Sequence, residues 1–201
     1  VGQIYKQAEK YLDQLTPGLW IEIGTSRNGD DGSTRTIAEW ASRYGRRLWT
    51  VDMDPLNCDF VRNLNIPNVE IVNQSGEDFL KEFPSHINYI SFLYLDNFDW
   101  DWHPEKSEDF VIDQQKRYND LGKVMNNVNS QRAHLAQMSA AMPAMAPCSI
   151  VVCDDTWYNK WWGHYSGKCG AVVPFLLNND YQVLSTKEEP EYGTILGRGI
   201  K

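Results

Sequence analysis

The strongest constraint on this chain is a series of short apolar runs that alternate with helical patterns and tend to close on a glycine or an acid. Leu19 to Ile23 is followed by Gly24, Leu48 to Val51 ends at Asp52, Asn88 to Leu95 at Asp96, and Ser149 to Cys153 at Asp154 and Asp155. Val69 to Val72 supplies a further run of the same kind. A helix is predicted from about Thr34 to Tyr44, with Ile37, Ala38 and Ala41 on one face and Gly45 past its end. Strands alternating with helices imply βαβ units and a mostly parallel sheet covered on both faces. Tyr181 to Leu184 and Gly193 to Leu196 are separated only by the polar segment from Ser185 to Tyr192, which predicts an antiparallel hairpin. The expected fold is therefore α/β, a three-layer sandwich around a seven-stranded, mostly parallel sheet with a C-terminal antiparallel hairpin.

The whole chain, 1–201, is expected to form one domain. An insertion at about 97–146 is out of proportion for a βα connection. The segment Asp96 to Asp113 carries seven carboxylates against one lysine. After it, Tyr118, Leu121, Val124, Met125, Val128, Arg132, Leu135 and Met138 recur at helical spacing and predict one long amphipathic helix. This helix offers a surface for self-association, and the acidic loop offers a lid. At the amino terminus Ile4, Ala8, Tyr11, Leu12 and Leu15 predict a surface helix rather than a signal segment.

The net charge of −8 lacks the basic footprint that a nucleic-acid partner or an anionic membrane surface requires. No stretch approaches the ~18 apolar residues of a membrane span. The cysteines Cys58, Cys148, Cys153 and Cys169 form no CxxC pair, so a reducing cytoplasm is expected.

The acids fall at informative places. Right-handed crossovers put all the parallel strand ends on one edge, so Glu22, Asp52, Asp96, Asp154 and Asp155 should converge there, where open α/β sheets bind ligands. A dinucleotide would need a tight GxGxxG turn for its pyrophosphate. The turn from Gly24 to Gly32 has the wrong glycine spacing, and Asp30 and Asp31 would repel phosphate. A ligand with a cationic head and a ribose fits better: Glu22 would face the cation and Asp52 would accept from the ribose hydroxyls.

With these residues the chain resembles the class I S-adenosylmethionine-dependent methyltransferases, nearest to metal-dependent O-methyltransferases of the catechol and macrolide-sugar types. Ile21 to Ser26, followed by Gly32 to Thr34, resembles their first motif and implies cofactor contacts from Gly24, Thr25 and Ser26. Thr50 to Pro55 is similar to the second, implicating Asp52 and Met53. Gln74 to Asp78 resembles the adenine-side segment, implicating Gly76 and Glu77. Leu95-Asp96 and Val152 to Asp155 are similar to the fourth and fifth motifs. There the resemblance implies metal ligands at Asp96, Asp154 and Asp155, with Asp96 also at the cofactor. The likeness implies a Rossmann-like fold and methyl transfer to a small hydroxylated acceptor, a sugar or a phenol. Two departures stand out. The first glycine loop carries extra residues within Asn28 to Asp31, and the catechol-type lysine after the fourth-strand acid is absent, since Asn97, Phe98 and Asp99 follow Asp96.

An alcohol does not ionise unaided at neutral pH, so Mg2+ or another divalent cation held by the three aspartates would assist by lowering the pKa of a bound hydroxyl. Asp96 and Asp154 would then be catalytic, with His164 as a candidate general base. Trp157, Tyr158, Trp161, Trp162 and Tyr165 would line the site, with Trp100 and Trp102 closing it from above. Two other readings stay open: a nucleotide- or NAD-binding Rossmann protein, and a non-catalytic binding or assembly module on the same fold.

Overall fold

The computed structural model describes residues 4–27, 32–83, 89–100, 107–188 and 192–201. A 3-10 helix over Ile4–Gln14 opens the chain, followed by β1 (Leu19–Ile23), α1 (Ser33–Arg43), β2 (Leu48–Asp52), α2 (Pro55–Asn63), β3 (Val69–Asn73), α3 (Gly76–Glu82) and β4 (Ile90–Leu95). Two helices come next, α4 (Glu108–Asp120) and α5 (Asn127–Ala141), then β5 (Met145–Asp154). A small hairpin, β6 (Thr156–Asn159) and β7 (His164–Gly167), precedes α6 (Val172–Leu177), β8 (Gln182–Lys187) and β9 (Gly193–Arg198).

The main sheet has seven strands in the order β3-β2-β1-β4-β5-β9-β8, parallel from β3 to β5, with β9 antiparallel to both its neighbours. This is the sheet and terminal hairpin that the alternation predicts. The strand residues alternate between two cores, as a pleat with both faces covered requires. Ile21, Ile23, Val51, Leu93, Leu95, Val151 and Leu196 pack with Phe79 and Leu80 of α3, Met138 and Ala141 of α5, and Val172, Val173 and Leu176 of α6. Trp20, Leu48, Phe92, Tyr94, Ile150, Val152 and Ile195 pack on the other face with Ile4, Tyr5, Ala8 and Leu12 and with Ile37, Ala38 and Ala41 of α1.

The insertion departs from its expectation. One long helix is replaced by α4 and α5, broken near Gly122, which has φ +70°. The break resets the helical phase, so Val124 and Val128, expected on the packed face, are exposed. The buried face of α5 is instead Ser130, Ala133, His134, Gln137, Met138 and Ala141. That polar content turns out to serve the site. The hairpin β6–β7 follows the last parallel strand directly, where the sequence pattern shows only an aromatic segment.

Candidate functional site

The strand order reverses between β1 and β4, and there the two strand ends leave a crevice. Gly24 sits at this point with φ +97°, and a Cβ on it would lie 2.6 Å from Asn97 N and from the Asp96 carbonyl carbon. Glycine is needed where the β1 loop brushes the β4 loop. The turn beyond it is tied back to α1. Ser26 N donates to Thr34 Oγ1 at 2.8 Å, Thr34 N donates to Ser26 Oγ at 3.0 Å, and the Thr25 and Thr34 hydroxyls lie 3.2 Å apart. The extra loop residues Asn28 to Asp31 lie outside the described residues, as does Trp102.

Glu22 is a correction to the sequence reading. It does not face the crevice but is fully buried, accepting from Ser33 Oγ at 2.7 Å, Thr34 Oγ1 at 2.6 Å and Thr50 Oγ1 at 2.6 Å. Burial raises its pKa to about 7, against the three hydroxyl donors that pull it down. The carboxylate ties β1, β2 and the start of α1 together, because any cation would have to displace those hydroxyls.

Asp52 lies at the end of β2, as expected, and is held by the rim backbone. Its carboxylate accepts from Thr25 N at 3.2 Å, Asp54 N at 2.8 Å and Asn57 Nδ2 at 3.1 Å. Burial lifts its pKa to about 6. Asp54 caps α2 through Leu56 N at 2.8 Å and pairs with Arg117 Nε of α4, whose Nη2 also reaches Asn57 Oδ1 at 2.8 Å. Met53 packs on a small core of Phe98, Tyr118, Met125 and Ala133. The insertion therefore covers the Asp52 edge of the rim with α4.

On the third-strand side, Ser75 caps α3 by accepting from Asp78 N at 3.2 Å. A Cβ on Gly76 would meet Ile23 Cγ2 at 2.4 Å and Gln137 Nε2 at 3.1 Å. Close packing alone thus requires glycine there. Gln137 donates to Glu77 Oε2 at 3.3 Å, and Ser130 Oγ donates to the Phe98 carbonyl at 2.6 Å.

The acids beyond β4 and β5 meet around a group that sequence reasoning left without a role. Lys168 Nζ lies 2.7 Å from Asp96 Oδ1, 3.1 Å from Asp155 Oδ2 and 3.9 Å from Asp99 Oδ1. Arg27 approaches Asp99 with both terminal nitrogens, at 3.0 and 3.4 Å. Tyr94 Oη donates to Asp96 Oδ2 at 3.2 Å. Burial favours the neutral form of Asp96, but the Lys168 ammonium outweighs it and holds this carboxyl below its ordinary range. Asp154 moves the other way: burial first, then Asp96 and Asp155, push its pKa well above the ordinary carboxylate range. The structure thus brings Asp96, Asp154 and Asp155 together as expected. Lys168, Arg27, Asp99, Arg117 and Gln137 were missed. The available signal for Lys168 was its setting between Gly167 and Gly170, shortly after the acid pair.

His164 stands apart, exposed on β7, with its Nδ1 3.2 Å from the Trp162 carbonyl and paired with Asn159 across the hairpin. The aromatic segment divides. Trp157 packs inward on Trp100 and Tyr192, and Tyr158 meets Tyr165 edge-on. Trp161 and Trp162, 96% and 75% exposed, point into solvent from the hairpin turn, where both backbone N–H groups donate to Asn159 Oδ1.

The expected divalent cation does not fit these side chains. Mg2+ needs oxygens at about 2.0–2.1 Å in near-octahedral array. Here an ammonium already sits between Asp96 and Asp155. Among the described residues no three His, Cys, Asp or Glu side chains are arranged to hold a metal.

The chain matches no protein-family model and no curated protein by sequence. Its fold is shared with solved structures at low identity. A Streptococcus mutans protein described as a methyltransferase, solved in complex with SAH, is 12% identical with a TM-score of 0.54, over 98% of each chain. A Clostridium thermocellum protein described as an rRNA methylase is 12% identical with a TM-score of 0.55, over 98% of this chain and 97% of its own. A Streptococcus thermophilus rRNA methylase is also 12% identical, with a TM-score of 0.52 over 98% of each chain. The seven-stranded, mostly parallel sheet with its C-terminal antiparallel hairpin is the Rossmann-like fold of these methyltransferases.

Proposed function

We propose that this protein is an S-adenosylmethionine-dependent methyltransferase that methylates a hydroxyl of a small acceptor, a sugar or a phenol. The observation that carries the reading is the convergence of carboxylates at the topological switch point. Among the described residues Asp96, Asp99 and Asp155 surround Lys168, and Asp99 also pairs with Arg27. A rim lined with carboxylates suits a sulfonium and an ammonium. Three buried acceptor oxygens, Asn97 Oδ1, Gln137 Oε1 and Asp154 Oδ1, have no hydrogen-bond partner among the described residues. Buried polar atoms are seldom left so, and a ligand rich in N–H and O–H donors satisfies them.

When bound, the methyl donor supplies an electrophilic methyl carbon on a positively charged sulfur. Asp52 would hold the ribose hydroxyls, Gly76 and Glu77 would flank the adenine, and Gly24, Thr25 and Ser26 would form the wall beside the cationic end. Asp96, whose side chain is 29% exposed, is the rim acid open to an acceptor and takes the hydroxyl proton. The acceptor oxygen, relieved of its proton, would be the nucleophile toward that methyl carbon.

The formal charge of −8 favours a small acceptor over RNA, whose phosphates would meet an acidic rim. Free Cys58, Cys148, Cys153 and Cys169 suit a reducing cytoplasm, and no helix among the described residues is long and apolar enough to cross a membrane. Exposed Ile112, Val124 and Val128 on the insertion support self-association there.

Calorimetry with S-adenosylhomocysteine and with NAD tests the reading. The expected result is binding of the former alone, weakened about tenfold, or about 1.4 kcal/mol, by Asp52→Asn. Binding of NAD instead selects the nucleotide-binding alternative. Binding of neither ligand leaves the non-catalytic module.

A further inference from the structure

Lys168 has the surroundings of a resident cation. It is 2% exposed, and its ammonium is contacted by carboxylates from separate stretches of chain: Asp96 and Asp99 after β4, and Asp155 after β5. An ammonium taken out of water costs several kcal/mol unless ion pairs and hydrogen bonds replace its hydration. The backbone is shaped to place it. Asp155 adopts φ 45° and Gly167 φ 93°, Lys168 N donates to the Asp155 carbonyl at 3.1 Å, and Cys169 N donates to Thr156 Oγ1 at 3.0 Å. The chain therefore holds the lysine from both sides and points it between acids that the sequence pattern would assign to a metal.

We propose that Lys168 is the built-in cation of this rim, filling the place of a divalent ion, so that the site works without a metal. For the reaction itself this rests on the methyltransferase reading; for the identity of the cation it does not. An ammonium has three N–H donors. Asp96 and Asp155 lie within hydrogen-bond distance of them, and Asp99 stands 3.9 Å from the nitrogen. Lys168 keeps its three protons throughout. The acceptor O–H gives its proton to Asp96, while the oxygen lone pair forms the new bond to the methyl carbon and the carbon–sulfur pair goes to sulfur.

Mn2+ alone, followed by electron paramagnetic resonance on the full chain, tests the proposal. The unmodified protein should bind no stoichiometric Mn2+, and its affinity for S-adenosylhomocysteine should be the same in EDTA as in excess Mg2+. Lys168→Ala should lower Tm, gain one Mn2+ per chain, and recover Tm when Mg2+ is added. Lys168→Arg, which keeps the charge, should gain no Mn2+ site. One Mn2+ per chain on the unmodified protein with sub-millimolar affinity, abolished by Asp155→Asn, overturns the proposal. So does a Lys168→Ala chain with unchanged Tm and no metal site. If Lys168→Ala does not fold, the unmodified protein and Lys168→Arg still decide. Failure of S-adenosylhomocysteine to bind removes the methyltransferase reading and leaves the Mn2+ result standing.

Discussion

Gly167 passes so close to Asp155 that a Cβ on it would lie 1.8 Å from the Asp155 carbonyl oxygen. This contact seats the turn that carries Lys168, and φ 93° at Gly167 adds a second reason for glycine. Gly167→Ala should cost about 3 kcal/mol or more, since it combines backbone strain with a clash that no side-chain rotation relieves. Urea denaturation checks this. A loss under about 1 kcal/mol would show that the turn can relax.

Glu22 makes stability depend on pH. Its pKa is about 7 in the folded state against an ordinary 4.5, so the folded chain binds the proton more tightly. The stabilisation is complete below about pH 4.5 and is lost as pH rises toward 7, for a total of about 3 kcal/mol at most. Buried His134, whose pKa falls to about 4, slopes the opposite way below its ordinary 6.5. The difference between the unmodified protein and Glu22→Gln isolates the effect. Glu22→Gln should gain relative stability from pH 5 to pH 7.5, and parallel curves would disprove the assignment.

Arg117 fastens α4 to the rim by reaching Asp54 and Asn57. The guanidinium is about one-third exposed, so solvent screens much of the pair's strength. Arg117→Leu should change global stability by about 1 kcal/mol or less while speeding amide hydrogen exchange through α4. Unaltered exchange in Glu108–Asp120 would mean that the small core around Phe98 and Tyr118 holds the helix by itself.

The tryptophans after Asp155 should separate cleanly. Trp157→Ala removes a ring packed on Trp100 and Tyr192 and should cost about 2–4 kcal/mol. Replacing Trp161 and Trp162 with serine should leave Tm nearly unchanged, because both side chains are in water. Thermal denaturation of the two variants distinguishes them.

Most of the architecture was legible in the chain. The runs ending at Gly24, Asp52, Asp96 and Asp154 are β1, β2, β4 and β5, because pleated strands buried on both faces leave a dense apolar signature. The helix predicted from about Thr34, which runs over Ser33–Arg43, the terminal hairpin and the gathering of Asp96, Asp154 and Asp155 at one edge follow from the same pattern. The insertion was less legible. Gly122 shifts the helical phase, and α5 buries Ser130, His134 and Gln137, polar residues that periodicity assigns to the outside.

What the sequence determined by itself was the sheet and the edge at which its acids gather, since both depend on local pattern and the handedness of crossovers. Only the tertiary structure decided what those acids face. Glu22 is claimed by hydroxyls from α1 and β2, and Asp96 by a lysine 72 positions away. Strand ends are marked by short-range composition, whereas the partner of a buried charge is whichever opposite charge the folded chain brings within a few ångströms.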